Sequence, residues 1–149
     1  MHILVVGGGM GGTILANNLA RRLSGELEQG SSKITMLSAS DKHMYQPGLL
    51  YVAVGKMSTT ELYRDQKSLL EPSIDFHVDP VEKFDLDNNS VTTKSGKKIS
   101  YDIICIATGS RGNAAGIPGL AENACQFYTE ADALAMYKKL QKFEGGKVV

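Results

Sequence analysis

Residues 5–12 read VVGGGMGG, so a short apolar run ends in a segment where five of six positions are glycine. Glycine loses more conformational freedom on folding than any other residue, so a cluster this dense needs a geometric reason. Gly7, Gly9 and Gly12 satisfy G-x-G-x-x-G. The run before them, His2–Val6, has the pattern of a strand buried on both faces. After them, residues 13–23 carry Ile14, Leu15, Leu19 and Leu23 at roughly helical spacing, with Ser24-Gly25 as a stop. In a strand–glycine–helix context the first glycine permits the tight turn. The second lets backbone approach a pyrophosphate, and the third lets helix and strand pack closely. The helix N-terminus adds free N–H groups and partial positive charge. The segment therefore predicts dinucleotide binding.

The polar segment GELEQGSS reads as a loop that leads to KITML, a second strand, which completes a βαβ unit. Residues 39–57 are irregular, with Pro47-Gly48 breaking an aromatic and apolar stretch. Ser58 and Glu61 form a capping box that predicts a helix over 59–70, ended by Pro72. IDFHV (74–78) reads as a third strand. VEKFDL, SVTTK and KKISYD, separated by Asp-Asn-Asn and Ser-Gly turns, predict an antiparallel β-meander. IICIA (103–107) returns to the pattern of a buried parallel strand. Thr129 caps a last helix that presents Leu134, Tyr137 and Leu140 on one face and ends at Gly145-Gly146, and Lys147-Val148-Val149 opens another strand. The fold class is α/β, a Rossmann-like parallel sheet with an inserted meander.

Acidic and basic residues balance at 16 each, which leaves no basic excess to hold nucleic acid. No run approaches the ~20 apolar residues needed to span a bilayer, and no secretory signal pattern precedes the first strand. The expected location is cytoplasmic. The two cysteines, Cys105 and Cys125, have no CxxC spacing, and the histidines His2, His43 and His77 show no metal-ligand pattern, so no metal is assigned. Tyr63 and Lys67 form Y-x-x-x-K, but without the helix and glycine pattern that would make it a dehydrogenase pair. His43 reads as solvent-facing or as a proton relay.

An acid about 20 residues beyond the glycines usually bonds a ribose hydroxyl. Here the second strand ends Leu37-Ser38-Ala39-Ser40-Asp41, and Ser38 takes that place with an uncharged hydroxyl. YDIICIATGS, an apolar strand ending Ala107-Thr108-Gly109 after a meander, resembles the second flavin motif of the two-dinucleotide-binding-domain flavoproteins. ITMLSASDKHMYQPGLLYVAVG, containing Tyr45-Gln46-Pro47, and ATGSRGNAAGIPG are similar to segments of three groups. These are the sulfide:quinone oxidoreductases, the flavocytochrome c sulfide dehydrogenases and the type II NADH dehydrogenases. The serine at the strand end looks more like the first group.

The resemblance implies an N-terminal FAD-binding portion. Residues 1–115 would belong to the flavin domain, and 116–149 would lead into a second dinucleotide domain that takes NAD(P) in some relatives. Gly7, Gly9, Met10, Gly11 and Gly12 would then cradle the pyrophosphate. Ser38 and Ala39 would meet the adenosine ribose, and Val78 the adenine. Gln46 and Pro47 would approach the isoalloxazine, and Ala107, Thr108 and Gly109 the middle of FAD; core packing and a turn are the other reading of Val78 and Pro47. The activity implied is transfer of electrons from sulfide through FAD to quinone. The alternatives are an NAD(P)H oxidoreductase of the same superfamily and a non-enzymatic nucleotide-binding module.

Cys125 lies near the position of a redox cysteine in the sulfide enzymes. Alignment on Thr129 puts Tyr128 there instead, so Cys125 is read either as a catalytic thiol or as a structural one. Cys105 reads as a buried small hydrophobe within its strand. Further expectations are a protein more than twice this length, weak FAD retention by these residues alone, peripheral membrane association through other regions, and a homodimer.

Overall fold

Alternation along β1 (His2–Val6) organises the first half of the structure, because Ile3 and Val5 face one side of the sheet and Leu4 and Val6 the other. The structure is a computed structural model that describes residues 1–113 and 116–147. β1 pairs in parallel with β2 (Lys33–Ser38), which pairs in parallel with β5 (Ile74–Val78). On its other edge β1 pairs in parallel with β9 (Ile103–Ile106), giving the order β5-β2-β1-β9.

The helix α1 (Met10–Arg22) buries Ala16 and Ala20 against Ile3, Val5, Ile34, Met36 and Ile74. The opposite face packs Leu4, Val6 and Leu37 on Val91, Ile99 and Tyr101 of the expected meander, β6 (Val81–Asp85), β7 (Ser90–Thr93) and β8 (Lys98–Ser100). This is the α/β fold read from the sequence, with the meander covering the face that α1 leaves open.

The chain divides into two compact units, residues 1–43 with 64–109, and residues 44–63 with 110–149. β3 (Lys42–Met44) and β4 (Tyr63–Asp65) form a two-stranded sheet where the chain passes the boundary. In the second unit α3 (Leu49–Ala53) packs Leu49, Val52 and Ala53 with Leu62 and Ala133, the last on α5 (Glu130–Gln141). A short helix, α4 (Leu120–Asn123), precedes α5. The strand expected at 147–149 includes Val148 and Val149, which lie outside the described residues.

Four expectations need correction. α1 stops at Arg22, as Ser24-Gly25 predicts, but the polar loop expected after it opens as α2 (Ser24–Glu28), since Leu27 N–H bonds Leu23 O and both leucines pack on the core. The helix over 59–70 is only a 3₁₀ turn, Thr59–Leu62. Its capping box forms, with Ser58 N–H donating to Glu61 Oε2 at 2.8 Å, but Tyr63 is extended at φ −109° and ψ 141°. A helix would stack Leu62 and Gln66 on one face, whereas each is fully buried in a different unit. Tyr63 and Lys67 accordingly share no helix. β9 is parallel as expected but not buried, with Ile103 and Ile106 exposed and Cys105 only half-buried, because it is the sheet's edge among the described residues. Finally, α5 buries Ala133 and packs Met136, leaving Leu134 and Leu140 exposed. Its N-terminus is capped by Thr129 as expected, and Asp132 completes a capping box with it.

Two measurements probe this packing. Leu62→Ala should destabilise the protein by about 2–5 kcal/mol in urea denaturation, the usual result of emptying a fully buried leucine site. Asp75 is bonded by Lys33 Nζ at 2.7 Å and His77 Nε2 at 2.8 Å. Partial burial alone would raise its pKa, but the hydrogen bonds from Lys33 and His77 outweigh burial and hold it below the ordinary 3.8. A lowered folded-state pKa gives stability that is present above 3.8 and lost as pH falls through the lowered value. The stability gap between wild type and Asp75→Asn should therefore close on acidification over that range.

Candidate dinucleotide site

Every strand of the parallel sheet ends on one edge, because the register pairs Val6 with Leu37 and Ile106, and Ser38 with Val78. β1 lies where the strand order reverses, with β2 and β5 on one side and β9 on the other. Ligands of open α/β sheets bind outside the carboxyl ends at such a point. The segments that meet there are the glycine loop and Ala107–Thr108–Gly109.

The loop glycines differ in what a side chain would meet. Gly7 has φ +117°, and a Cβ there would collide with the Ala107 carbonyl. At Gly12 it would collide with the Gly7 carbonyl oxygen. At Gly8 it would fall 2.5 Å from Ser38 Oγ and 3.5 Å from Gln66 Cδ. Gly9 and Gly11 instead face open space within 4 Å. Gly7 and Gly12 thus serve the turn and the packing, while Gly9 and Gly11 leave a bare concavity at the start of α1.

That helix begins at Gly9 with no side-chain cap and no acidic residue in its first turn, so its leading N–H groups and dipole are free for an anion. This donor set fits a diphosphate. Among the described residues no group of acidic, histidine or cysteine side chains could hold a metal ion.

Of the other expected residues, Ser38 is 6% exposed and its Oγ accepts from Ser40 N–H at 3.2 Å, so it supports the loop from beneath, while Ala39 is exposed. Val78 is exposed and forms one wall of a cavity of about 270 Å³, with Leu37, Asp79, Lys97 and Ile99 also lining it. Gln46, Pro47 and Cys125 belong to the second unit. Gln46 and Pro47 form a 3₁₀ turn, and Cys125 is an exposed free thiol.

Tyr128 hydroxyl lies 2.7 Å from Ser110 Oγ, and hydrogen bonds from Ser110 and then Gln46 lower its pKa below the ordinary 10.0. Tyr63 hydroxyl donates to the Glu130 carboxylate; that bond, then burial and the carboxylate charge, raise its pKa.

Sequence reasoning missed Thr13 and Gln66, and it read His43 only as solvent-facing or as a proton relay. All three converge beneath Gly8. Gln66 is fully buried, and its Nε2 donates to Thr13 Oγ1 at 2.9 Å. His43 Nδ1 lies 3.0 Å from Gln66 Oε1 and 3.1 Å from Gly8 O. Thr13 Oγ1 donates to the same Gly8 carbonyl at 3.3 Å. The partners of Gln66 are 53 and 23 residues away, so no periodicity marks it.

The chain belongs to the pyridine nucleotide-disulphide oxidoreductase family, which it matches over residues 1–148. It is 37% identical over 142 residues to the sulfide-quinone reductase of Aquifex aeolicus, an alignment covering 95% of this chain and 31% of that protein. The crystal structure of the sulfide:quinone oxidoreductase from that bacterium superposes with a TM-score of 0.77 at 33% identity, covering 95% of this chain and 32% of the other. The alternative NAD(P)H-ubiquinone oxidoreductase C1 of Arabidopsis thaliana is 26% identical over 158 residues, 96% of this chain and 30% of that protein. The chain thus spans about a third of the length of these relatives. The family agrees with the flavoprotein resemblance read from the motifs.

Gly9→Val and Gly7→Ala should separate binding from folding. In the full-length protein Gly9→Val faces open space, so the apoprotein should keep its thermal midpoint while its bound flavin, read by absorbance, falls to background. Gly7→Ala meets the Ala107 carbonyl at a positive φ and should lower the midpoint itself.

Proposed function

We propose that this chain is the FAD-holding N-terminal part of an enzyme that takes electrons from sulfide and passes them to a quinone. The observation that carries the reading is the bare, uncapped start of α1 beside Ala107–Gly109, built for a diphosphate and set in a chain with 37% identity to a sulfide-quinone reductase. Ser38 in place of the ribose-binding acid supports the sulfide branch over the NADH-oxidising one.

In this proposal Gly9, Met10, Gly11 and Gly12 bind the diphosphate through backbone N–H groups. The Val78 backbone borders the adenine, and Ala39, beside the buried Ser38, the ribose. Gln46 and Pro47 border the isoalloxazine, and Thr108 and Gly109 the chain between the two ends of FAD. FAD, when bound, supplies reversible two-electron transfer, and the polypeptide orients it and sets its electrostatic surroundings. Cys125, exposed, is the thiol that sulfide would meet. Residues 116–149 lead toward a second dinucleotide domain. The quinone is a lipid-phase substrate, so the whole protein would work at a membrane surface on its cytoplasmic side, as a monomer or a homodimer. Among the described residues no helix is long and apolar enough to cross a membrane.

Anaerobic mixing of the flavin-loaded, full-length protein with sulfide or with NADH tests this. Sulfide should bleach the flavin absorbance, a soluble quinone should restore it, and NADH should leave it unchanged. Bleaching by NADH alone would transfer the protein to the NADH-oxidising branch. Cys125→Ser should retain FAD while losing the sulfide response; wild-type sulfide bleaching in that variant would return Cys125 to a structural role.

A further inference from the structure

The three side chains beneath the loop are wired with a definite polarity. Both strong partners of His43 Nδ1 are carbonyl oxygens, Gln66 Oε1 at 3.0 Å and Gly8 O at 3.1 Å, so Nδ1 carries a hydrogen. Thr13 Oγ1 accepts from Gln66 Nε2 at 2.9 Å, which leaves its own hydrogen for Gly8 O at 3.3 Å. The Gly8 carbonyl therefore receives the Thr13 hydroxyl hydrogen and a share of the single Nδ1 hydrogen of His43, which Gln66 Oε1 also accepts, and Gln66, itself fully buried, orients both donors.

In a trans peptide the C=O of one residue and the N–H of the next point in opposite directions. A Gly8 carbonyl held inward sends the Gly9 N–H outward, on the side where Gly9 is exposed and meets open space. The peptide needs holding because it joins two glycines, which offer little steric resistance to rotation of the plane between them. Once rotated, it would turn a carbonyl dipole, instead of an N–H, toward any anion at the start of α1.

We propose that Thr13, His43 and Gln66 are positioning residues that latch the Gly8–Gly9 peptide in its anion-binding orientation. The proposal rests on the assignment of this loop to the FAD diphosphate. It predicts that binding is lost through the diphosphate end of the cofactor and not through the flavin ring.

The test uses the FAD-loaded protein, reconstituted from apoprotein. Thr13→Val keeps shape and removes the hydroxyl; Thr13→Ser keeps the hydroxyl. His43→Leu removes the donor; His43→Asn retains an N–H close to the place of Nδ1. Thr13→Val and His43→Leu should each weaken FAD binding about tenfold, the scale of a lost hydrogen bond, and should move the 31P resonances of the bound diphosphate. The visible spectrum of the saturated flavin should not change, and Thr13→Ser and His43→Asn should restore wild-type affinity.

Affinity within twofold of wild type in both Thr13→Val and His43→Leu would overturn the latch, as would equal losses in the conservative pair accompanied by a lowered thermal midpoint of the apoprotein. Undiminished flavin in Gly9→Val would show instead that the loop is not the diphosphate site, and the latch would fall with that assignment.

Discussion

The contact on which the rest of the site depends is backbone against backbone at the turn out of β1. Gly7 lies against the Ala107 carbonyl and Gly12 against the Gly7 carbonyl, so the end of one strand, the start of one helix and the end of another strand share a space with no room for a side chain. That closeness fixes the start of α1 at the sheet edge. The positive end of the helix dipole and its unbonded N–H groups are then aimed at the reversal point of the strand order.

The sheet's two faces follow from the same strand. Its alternating side chains require cover on both sides, which α1 supplies on one and the meander on the other. Gly8 joins this framework to the polar cluster below: it has no side chain because Ser38 and Gln66 fill the volume under it, and its carbonyl takes hydrogen bonds from His43 and Thr13. A buried amide such as Gln66 would be expensive without partners, and here its Nε2 and Oε1 both have one. The loop is thus shaped by sterics above the sheet and by hydrogen bonds beneath it.

The second unit has a different construction. Its core of Leu49, Val52, Ala53, Leu62 and Ala133 gathers two short segments that are far apart in sequence. It carries the Tyr128–Ser110–Gln46 group and the exposed Cys125. The alignments cover about a third of the length of each of these relatives.

The sequence by itself determined the features that short-range geometry controls. The glycine spacing specified a turn and a close helix–strand approach, and alternation in residues 81–101 specified the meander. Thr129 specified the start of α5. All of these depend on neighbours within a few residues. Tertiary structure alone decided the rest. The Ser58–Glu61 box formed as its residues dictate, yet a capping box fixes only where a helix starts, and burial of Leu62 and Gln66 in separate units ended the turn at once. The apolar run in β9 reads the same whether a strand is central or at an edge, and only the count of its neighbours left Ile103 and Ile106 exposed. Gln66 became part of the site through partners 53 and 23 residues distant, a relation no local pattern encodes.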